Sequence, residues 1–194
     1  MSAAQMFVIF GAFANIAGSG VYIFDTLKGK TKPNRMTFLL WGIVPFIGVA
    51  ASLVQGVTWA TIPVIVSAIC PLAIFAASFI NKNAYWRLGR FDYLCGTISI
   101  LALFLWWLTK EPNLAIVFAI LADFVAGIPT LVKAWRHPET ETASGYAGAM
   151  VSSLSGFGVA GNWTIASIAF PAYLLLNNTA LVIGILRGKL RRSV

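Results

Sequence analysis

Long apolar stretches separated by short polar segments run through this chain. Each stretch is close to the length of about 20 residues that a helix needs to cross a bilayer, and each is apolar on nearly all sides. The pattern predicts an all-α membrane protein with seven transmembrane helices, at about 6–27, 36–57, 59–80, 91–109, 113–135, 143–162 and 165–187. The segment 143–162 is rich in Ser and Gly, residues that allow close helix packing.

The basic residues alternate with these predicted helices. All but one of the 14 Lys and Arg lie in the loops after helices one, three and five or in the tail after helix seven, and the exception is Lys110. Lys and Arg collect in cytoplasmic loops of membrane proteins. The pattern therefore predicts an amino terminus outside and a carboxyl terminus inside, with 188–194 as a basic cytoplasmic tail.

Composition agrees with a membrane protein. Apolar residues make up 59% of the chain and charged residues 10%, against about a quarter charged in ordinary soluble domains. A soluble enzyme is therefore excluded, and the net charge of +8 is an orientation signal rather than a sign of nucleic-acid binding. We expect a multi-pass protein of a bacterial cytoplasmic (inner) membrane, in contact with the lipid bilayer and a small-molecule substrate. Assembly of this chain into a homo-oligomer stays open as an alternative to a monomer.

The chain carries a weak internal repeat. At an offset of 108 residues Asn15 aligns with Asp123 and Lys28 with Arg136, and at an offset of 100 Pro71 aligns with Pro171. Parallel repeats in transporters place the substrate near the midplane, between the halves. We therefore predict four units: a first three-helix bundle at 6–80, a linker with the fourth helix at 81–112, a second three-helix bundle at 113–187 and the tail at 188–194.

One local motif and the overall arrangement point to a known superfamily. The segment 122–136 reads ADFVAGIPTLVKAWR, and its pair Pro129-Thr130 stands where the motif has Pro-Gln before a short basic turn. Together with two parallel bundles around a linker helix, this segment resembles the SWEET and PQ-loop superfamily. The resemblance implies a transporter of a small polar solute that works by alternating access, with Pro45 and Pro129 as hinges.

The same resemblance suggests site residues. Asn177 or Asn178 matches the Asn that flanks the sugar in the seventh helix of SWEET proteins, whereas Ala77 and Ser78 stand at the repeat-related positions of the third helix. Asp123 resembles the acid that takes part in proton coupling in lysosomal PQ-loop amino-acid exporters. A sugar, an amino acid and a vitamin-like solute all stay open as substrates.

Asp123 is the sharpest chemical signal in the sequence. It lies near the middle of the fifth predicted helix, where an acid costs about 2.5–3.5 kcal/mol on insertion scales. Such residues usually face a cavity or a partner, so Asp123 is a candidate proton relay or binding site for a cationic group. The alternative is a neutral, hydrogen-bonded Asp that holds helices together. Asn15 could hydrogen-bond to it across the two bundles.

Amide and aromatic side chains complete the candidate site. Successive helical residues point about 100° apart, so only one of Asn177 and Asn178 is expected to face a cavity. We favour Asn177, because Tyr173 lies one turn before it on the same face. Most Trp residues fall near predicted helix ends and suit membrane anchoring, but Trp163 and Trp41 are candidates for stacking on a substrate.

Other function classes have weaker support. The trimeric intracellular cation channels have a similar helix arrangement, but they use basic residues inside the pore, and no Lys or Arg lies deep in a predicted helix here. A non-transporting scaffold or receptor stays open. Paired catalytic carboxylates, a Ser/His/Asp set and a phosphate loop are not found, so we expect no enzyme, cofactor or metal. Asp25 lies near Lys28, which predicts a local ion pair.

Overall fold

A computed structural model describes residues 1–55, 57–109, 112–159 and 165–191. Within these ranges the chain forms seven α-helices and two short 3-10 turns, with no strand. The helices are α1 (Ala3–Leu27), α2 (Arg35–Gln55), α3 (Thr61–Ala77), α4 (Arg90–Thr109), α5 (Pro112–Arg136), α6 (Ala143–Gly158) and α7 (Ile165–Leu190). The predicted all-α class is confirmed, and each predicted segment corresponds to one helix.

Three helices of the described chain are long and apolar enough to cross a membrane: Ala3–Leu27, Ile116–Arg136 and Ile168–Leu190. Large apolar side chains also cover the outward faces of α1 and α4, among them Phe10, Phe13, Leu94, Leu101, Leu105 and Leu108. Soluble monomers rarely expose continuous apolar patches of this kind. The fold therefore has the surface of a membrane protein.

The helices pack in a pattern that occurs twice. We call α1–α3 the first bundle and α5–α7 the second bundle. Helix α3 contacts both α1 and α2, and α7 contacts both α5 and α6. The two bundles meet where α1 packs on α6 and where α2 packs on α5, while α4 packs on α5 and, less extensively, on α2. Exchanging α1–α3 for α5–α7 therefore reproduces the contacts within each set of three helices and the α1–α6 and α2–α5 contacts between them, whereas a smaller contact of α3 with α6 has no counterpart of comparable extent among the described residues.

Two hydrogen bonds across the bundle interface repeat this exchange. The Thr37 hydroxyl on α2 donates to the Ala126 carbonyl on α5 at 2.7 Å, and the Ser144 hydroxyl on α6 donates to the Gly18 carbonyl on α1 at 3.1 Å. Gly18 and Ala126 are 108 residues apart, which is the offset found in the sequence. The same kind of bond thus joins the start of one helix to the backbone of the opposite bundle on both sides.

Small residues bring α1 and α6 close together. A Cβ atom added to Gly148 would lie 2.4 Å from the carbonyl oxygen of Ala14, and one added to Gly18 would lie 2.2 Å from the carbonyl oxygen of Ser144. Both neighbours are backbone atoms, which cannot rotate away as a side chain can. The Ser and Gly residues of α6 thus serve close packing, as their composition suggested.

Gly148→Ala is expected to lower the free energy of unfolding by about 1–3 kcal/mol, because the added methyl group must push α6 away from α1. Thermal unfolding in detergent, followed by loss of helical circular dichroism, measures the change.

Gly20→Ala is the matched control, because Gly20 lies in α1, the helix that Gly148 packs against, and its added Cβ would meet nothing within 4 Å. Its unfolding temperature should stay level or rise slightly. An equal loss in both variants would contradict the close approach of α1 and α6.

One end of the bundle gathers the ends of α1 and α3 and the start of α2. The Asn81 amide donates to the Leu27 carbonyl at 2.8 Å, and the Arg35 guanidinium donates to Ser78. The chain leaves α1 through Gly29, whose φ of 75° lies in the left-handed region that glycine adopts without strain. We call this end, which also holds the loop between α5 and α6, the basic end.

Candidate functional site

A cavity of about 600 Å³ lies between the two bundles and is lined by residues of every helix except α4. At the end opposite the basic end, its walls include the exposed residues Thr58 and Ala60 in the α2–α3 connection. Toward the basic end it reaches Tyr22, Phe38 and Tyr146, which are almost fully buried. The cavity therefore extends from one end of the bundle into its middle.

Asp123 lies in the wall of this cavity and is 2% exposed. Its carboxylate accepts a hydrogen bond of 2.6 Å from the Tyr173 hydroxyl, and its backbone carbonyl accepts one of 3.0 Å from the Trp41 indole. Asn15 also lines the cavity, but its side chain accepts from Ser19 on its own helix. The expected bond between Asn15 and Asp123 is thus replaced by a bond from Tyr173.

Both Asn177 and Asn178 line the cavity. The cavity wall is broad enough to include neighbouring residues of α7, and the expectation that only one of the two side chains faces the cavity stays a prediction. The Asn178 amide donates to the Leu174 carbonyl at 2.8 Å, one turn earlier on the same helix. That bond uses part of the hydrogen-bonding capacity of Asn178, so Asn177 is the better candidate for a ligand contact.

Residues that line the cavity often lie at positions related by the sequence offsets of 108 and 100. Several residues that line it come in pairs, one from each bundle: Phe38 and Tyr146, Trp41 and Ala149, and Pro45 and Ser153 at an offset of 108, and Cys70 and Phe170, Pro71 and Pro171, and Ile74 and Leu174 at an offset of 100. Related positions in the two bundles therefore surround the same space. The side chains differ within most pairs, so the cavity is not chemically symmetric.

A cluster of buried polar side chains closes the cavity at the basic end. The hydroxyl groups of Tyr22 and Tyr146 donate to the same oxygen of Glu141, at 2.7 and 2.9 Å. The other oxygen of Glu141 forms an ion pair of 2.7 Å with Lys133, and both of these side chains are almost completely buried. We call Tyr22, Lys133, Glu141 and Tyr146 the closing cluster.

Neighbouring contacts hold the loop of Glu141 against the first bundle. The Thr142 hydroxyl donates to the Asp25 carboxylate at 2.8 Å and also bonds the Thr31 hydroxyl. The backbone of Lys32 donates to the carbonyl of Thr140 at 3.0 Å. These bonds connect the α1–α2 and α5–α6 loops, so the closure depends on both bundles.

The predicted ion pair between Asp25 and Lys28 was wrong. Asp25 accepts from Thr142, and the Lys28 ammonium lies 4.1 Å from the centre of the Phe24 ring. The long Lys side chain gains more by covering an apolar ring than by forming an exposed pair of small net value.

The other candidate residues have mixed positions. Pro45 interrupts α2 and lines the main cavity, whereas Pro129 interrupts α5 and lines a separate cavity of about 160 Å³ near Lys133. Tyr173 is not part of the main cavity wall, and it acts on the site through Asp123. Trp163 falls outside the described residues. Trp41 is 8% exposed and lies in the cavity wall.

The closing cluster could not be identified from the sequence. Lys133 falls among the basic residues around the predicted loop after the fifth helix, whereas its side chain is buried in the last turn of α5. Two signals were available: Glu141 is one of two acids, with Glu139, that directly follow the basic residues Lys133 and Arg136, and the offset of 108 aligns Phe38 with Tyr146. Neither signal identifies a partner, because partners on different helices depend on how the helices are rotated.

No family model, no curated protein and no solved structure matches this chain. The chemistry of the residues that line the cavity, together with its geometry, therefore carries the evidence for function.

Proposed function

We propose that this chain is a seven-span membrane transporter that moves a small polar solute by alternating access between its two bundles. The observation that carries the proposal is the cavity, which lies between the bundles, contains Asp123 and three Asn side chains, and stops at the buried closing cluster. A site that is accessible from one end and sealed at the other is one of the two states that alternating access requires.

The helix arrangement supports this proposal. In each bundle the third helix packs between the other two. Between the bundles, the first helix of each packs on the second helix of the other. Parallel repeats with a binding site between them are a known transporter design, and the SWEET and PQ-loop superfamily that the sequence resembles uses it. The proposed units are the bundles at 6–80 and 113–187, joined by the linker at 81–112.

Charge supports an orientation for the proposed transporter. Nearly all Lys and Arg belong to the loops of the basic end or to the tail, which the positive-inside rule assigns to the cytoplasm. The cavity then faces the outside of the cell, and the closing cluster seals the cytoplasmic side. In this orientation the described conformation is ready to receive solute from outside a bacterial cytoplasmic membrane.

The cavity favours a transporter over a cation channel. Among the described residues that line it, none is Lys or Arg, and the passage ends at Tyr22 and Tyr146 instead of continuing through the bundle. Its volume of about 600 Å³ is within the usual range of small-molecule sites. Pro45 lies in its wall, where a kink of α2 would change the width of the cavity, so Pro45 and Pro129 remain the proposed hinges.

A native thiol allows the proposal to be tested without knowing the solute. Cys70 lines the cavity, and Cys95→Ala leaves it as the only cysteine of the chain. A membrane-impermeant thiosulfonate reagent, added to either side of oriented vesicles, should modify Cys70 from the side opposite the basic end. Tyr22→Phe removes one bond to the Glu141 carboxylate, worth about 1.5–3 kcal/mol. It should therefore raise modification from the basic side about tenfold or more.

Tyr93→Phe is the matched control, because Tyr93 is exposed on α4 and has no part in the closing cluster. Its modification pattern should equal that of the unchanged background. If Cys70 reacts from neither side, or if Tyr22→Phe leaves the basic side unreactive while the protein stays folded, alternating access through this cavity is refuted.

A further inference from the structure

Four aromatic rings form a closed loop at the inner end of the cavity. Each ring contacts two others, with centre-to-centre distances of 5.3 Å for Tyr22–Phe38, 5.7 Å for Phe38–Trp41, 6.4 Å for Trp41–Tyr146 and 5.8 Å for Tyr146–Tyr22. Three of these contacts are nearly perpendicular, with angles of 76° to 86° between the ring planes. We call these four side chains the aromatic box.

All four rings of the box line the cavity, and none is more than 8% exposed. Separations of 5.3 to 6.4 Å are those of aromatic rings in direct contact, so a cation would lie against the ring surfaces that line the cavity, within the distance of about 6 Å over which a cation is attracted to a ring. Such attraction is strongest where water is excluded. A small organic cation that enters the cavity would therefore meet several rings at its inner end.

The charges around the box favour a cation over an anion. Asp123 supplies a carboxyl group in the same cavity, and the Trp41 indole is bonded to the backbone of Asp123. The hydroxyl groups of Tyr22 and Tyr146 both donate to the Glu141 carboxylate, which polarises the two rings toward higher electron density. No Lys or Arg lines the cavity within the described chain.

We propose that the solute is a monovalent organic cation with a compact ammonium head, held against the aromatic box at the inner end of the cavity with Asp123 as its counter-charge. This inference rests on the proposed function, because it names the class of solute for the same cavity. An anion would meet a carboxyl group without a balancing positive charge, and a neutral solute would gain nothing from the negative ring faces.

Choline and its neutral isostere 3,3-dimethylbutan-1-ol separate charge from shape. The purified full-length protein in detergent is titrated with each compound, and binding is followed by calorimetry and by the shift in unfolding temperature. Choline should bind about tenfold or more tightly than the isostere. Equal binding of the two compounds, or binding of neither, would overturn the proposal.

Trp41 provides the test of the box itself. Trp41→Leu should weaken choline binding about tenfold or more, whereas Trp107→Leu, at an exposed position on α4 away from the cavity, should leave it unchanged. Biosynthetic replacement of Trp by mono-, di- and trifluorinated Trp preserves the side-chain shape and covers the case in which Trp41→Leu does not fold. Choline affinity should fall stepwise with fluorination, and a flat series would refute the role of the Trp41 ring.

The Cys70 assay distinguishes a wrong solute class from a wrong function. If Cys70 becomes accessible from both sides but choline does not bind, alternating access holds and the cation proposal fails. If choline binds but Tyr22→Phe leaves access unchanged, the box binds cations and transport through this cavity fails.

Discussion

Lys133→Met is expected to lower the free energy of unfolding by about 3–5 kcal/mol, the range found when one partner of a buried ion pair is removed. Lys133 and Glu141 are separated by 2.7 Å and are shielded from water. The variant leaves Glu141 with two Tyr hydrogen bonds but without a counter-charge in a low-dielectric region. Chemical unfolding in detergent, followed by circular dichroism, measures the loss.

Two further variants make this result specific to the ion pair. Lys133→Met combined with Glu141→Gln removes both charges, and it should recover a large part of the lost stability because no uncompensated charge remains. Lys28→Met removes an exposed Lys near the same end and should change stability by less than about 0.5 kcal/mol. A double variant as unstable as Lys133→Met would contradict a stabilising role for charge compensation.

Asp123→Asn is expected to abolish solute uptake that is driven by a pH gradient while leaving the fold intact. In the unchanged protein the Tyr173 hydroxyl donates to the Asp123 carboxylate at 2.6 Å. The Asn side chain keeps an oxygen that can accept this hydrogen bond, but it cannot take up or release a proton. Uptake into vesicles is measured for those sugars, amino acids, nucleosides and choline that raise the unfolding temperature of the unchanged protein.

The control for this variant is Glu139→Gln, the same exchange of carboxylate for amide at an exposed position of the basic end. Its uptake should match that of the unchanged protein. Tyr173→Phe removes the bond to Asp123 and keeps the acid, so a partial loss of uptake is expected from it. If Asp123→Asn responds to the pH gradient as fully as the control, proton coupling at this residue is excluded.

Much of the site could be predicted from single residues whose type is unusual in an apolar helix. Asp123 stood out because an acid is costly in the middle of a membrane helix, and it does lie in the cavity wall. Asn15 was indicated by its alignment with Asp123, and Asn177 and Asn178 were indicated by the resemblance to SWEET proteins; all three line the same cavity. A polar residue in such a helix usually faces a polar space, so its type alone predicts its surroundings.

The closing cluster and the aromatic box could not be predicted in this way. Tyr22 and Glu141 are 119 residues apart in the chain, and an aromatic residue or a Lys at a helix end is ordinary in a membrane protein. What makes these residues functional candidates is their meeting across α1, α2, α5 and α6. The sequence offset of 108 indicates which positions of the two bundles correspond, but it does not indicate which side chains contact each other.

Local composition is enough to predict the helical class, the approximate helix ends, the apolar surface and the position of most basic residues at one end. The length of an apolar stretch and the positions of its Pro, Gly and charged residues act locally, so these properties need no knowledge of how the helices pack. The packing of the helices brings Asp123 to Tyr173, buries Lys133 against Glu141 and brings four rings together at the inner end of the cavity. Helices that are apolar on nearly all sides carry little information about which face turns inward, so close packing at residues such as Gly18 and Gly148 sets those contacts.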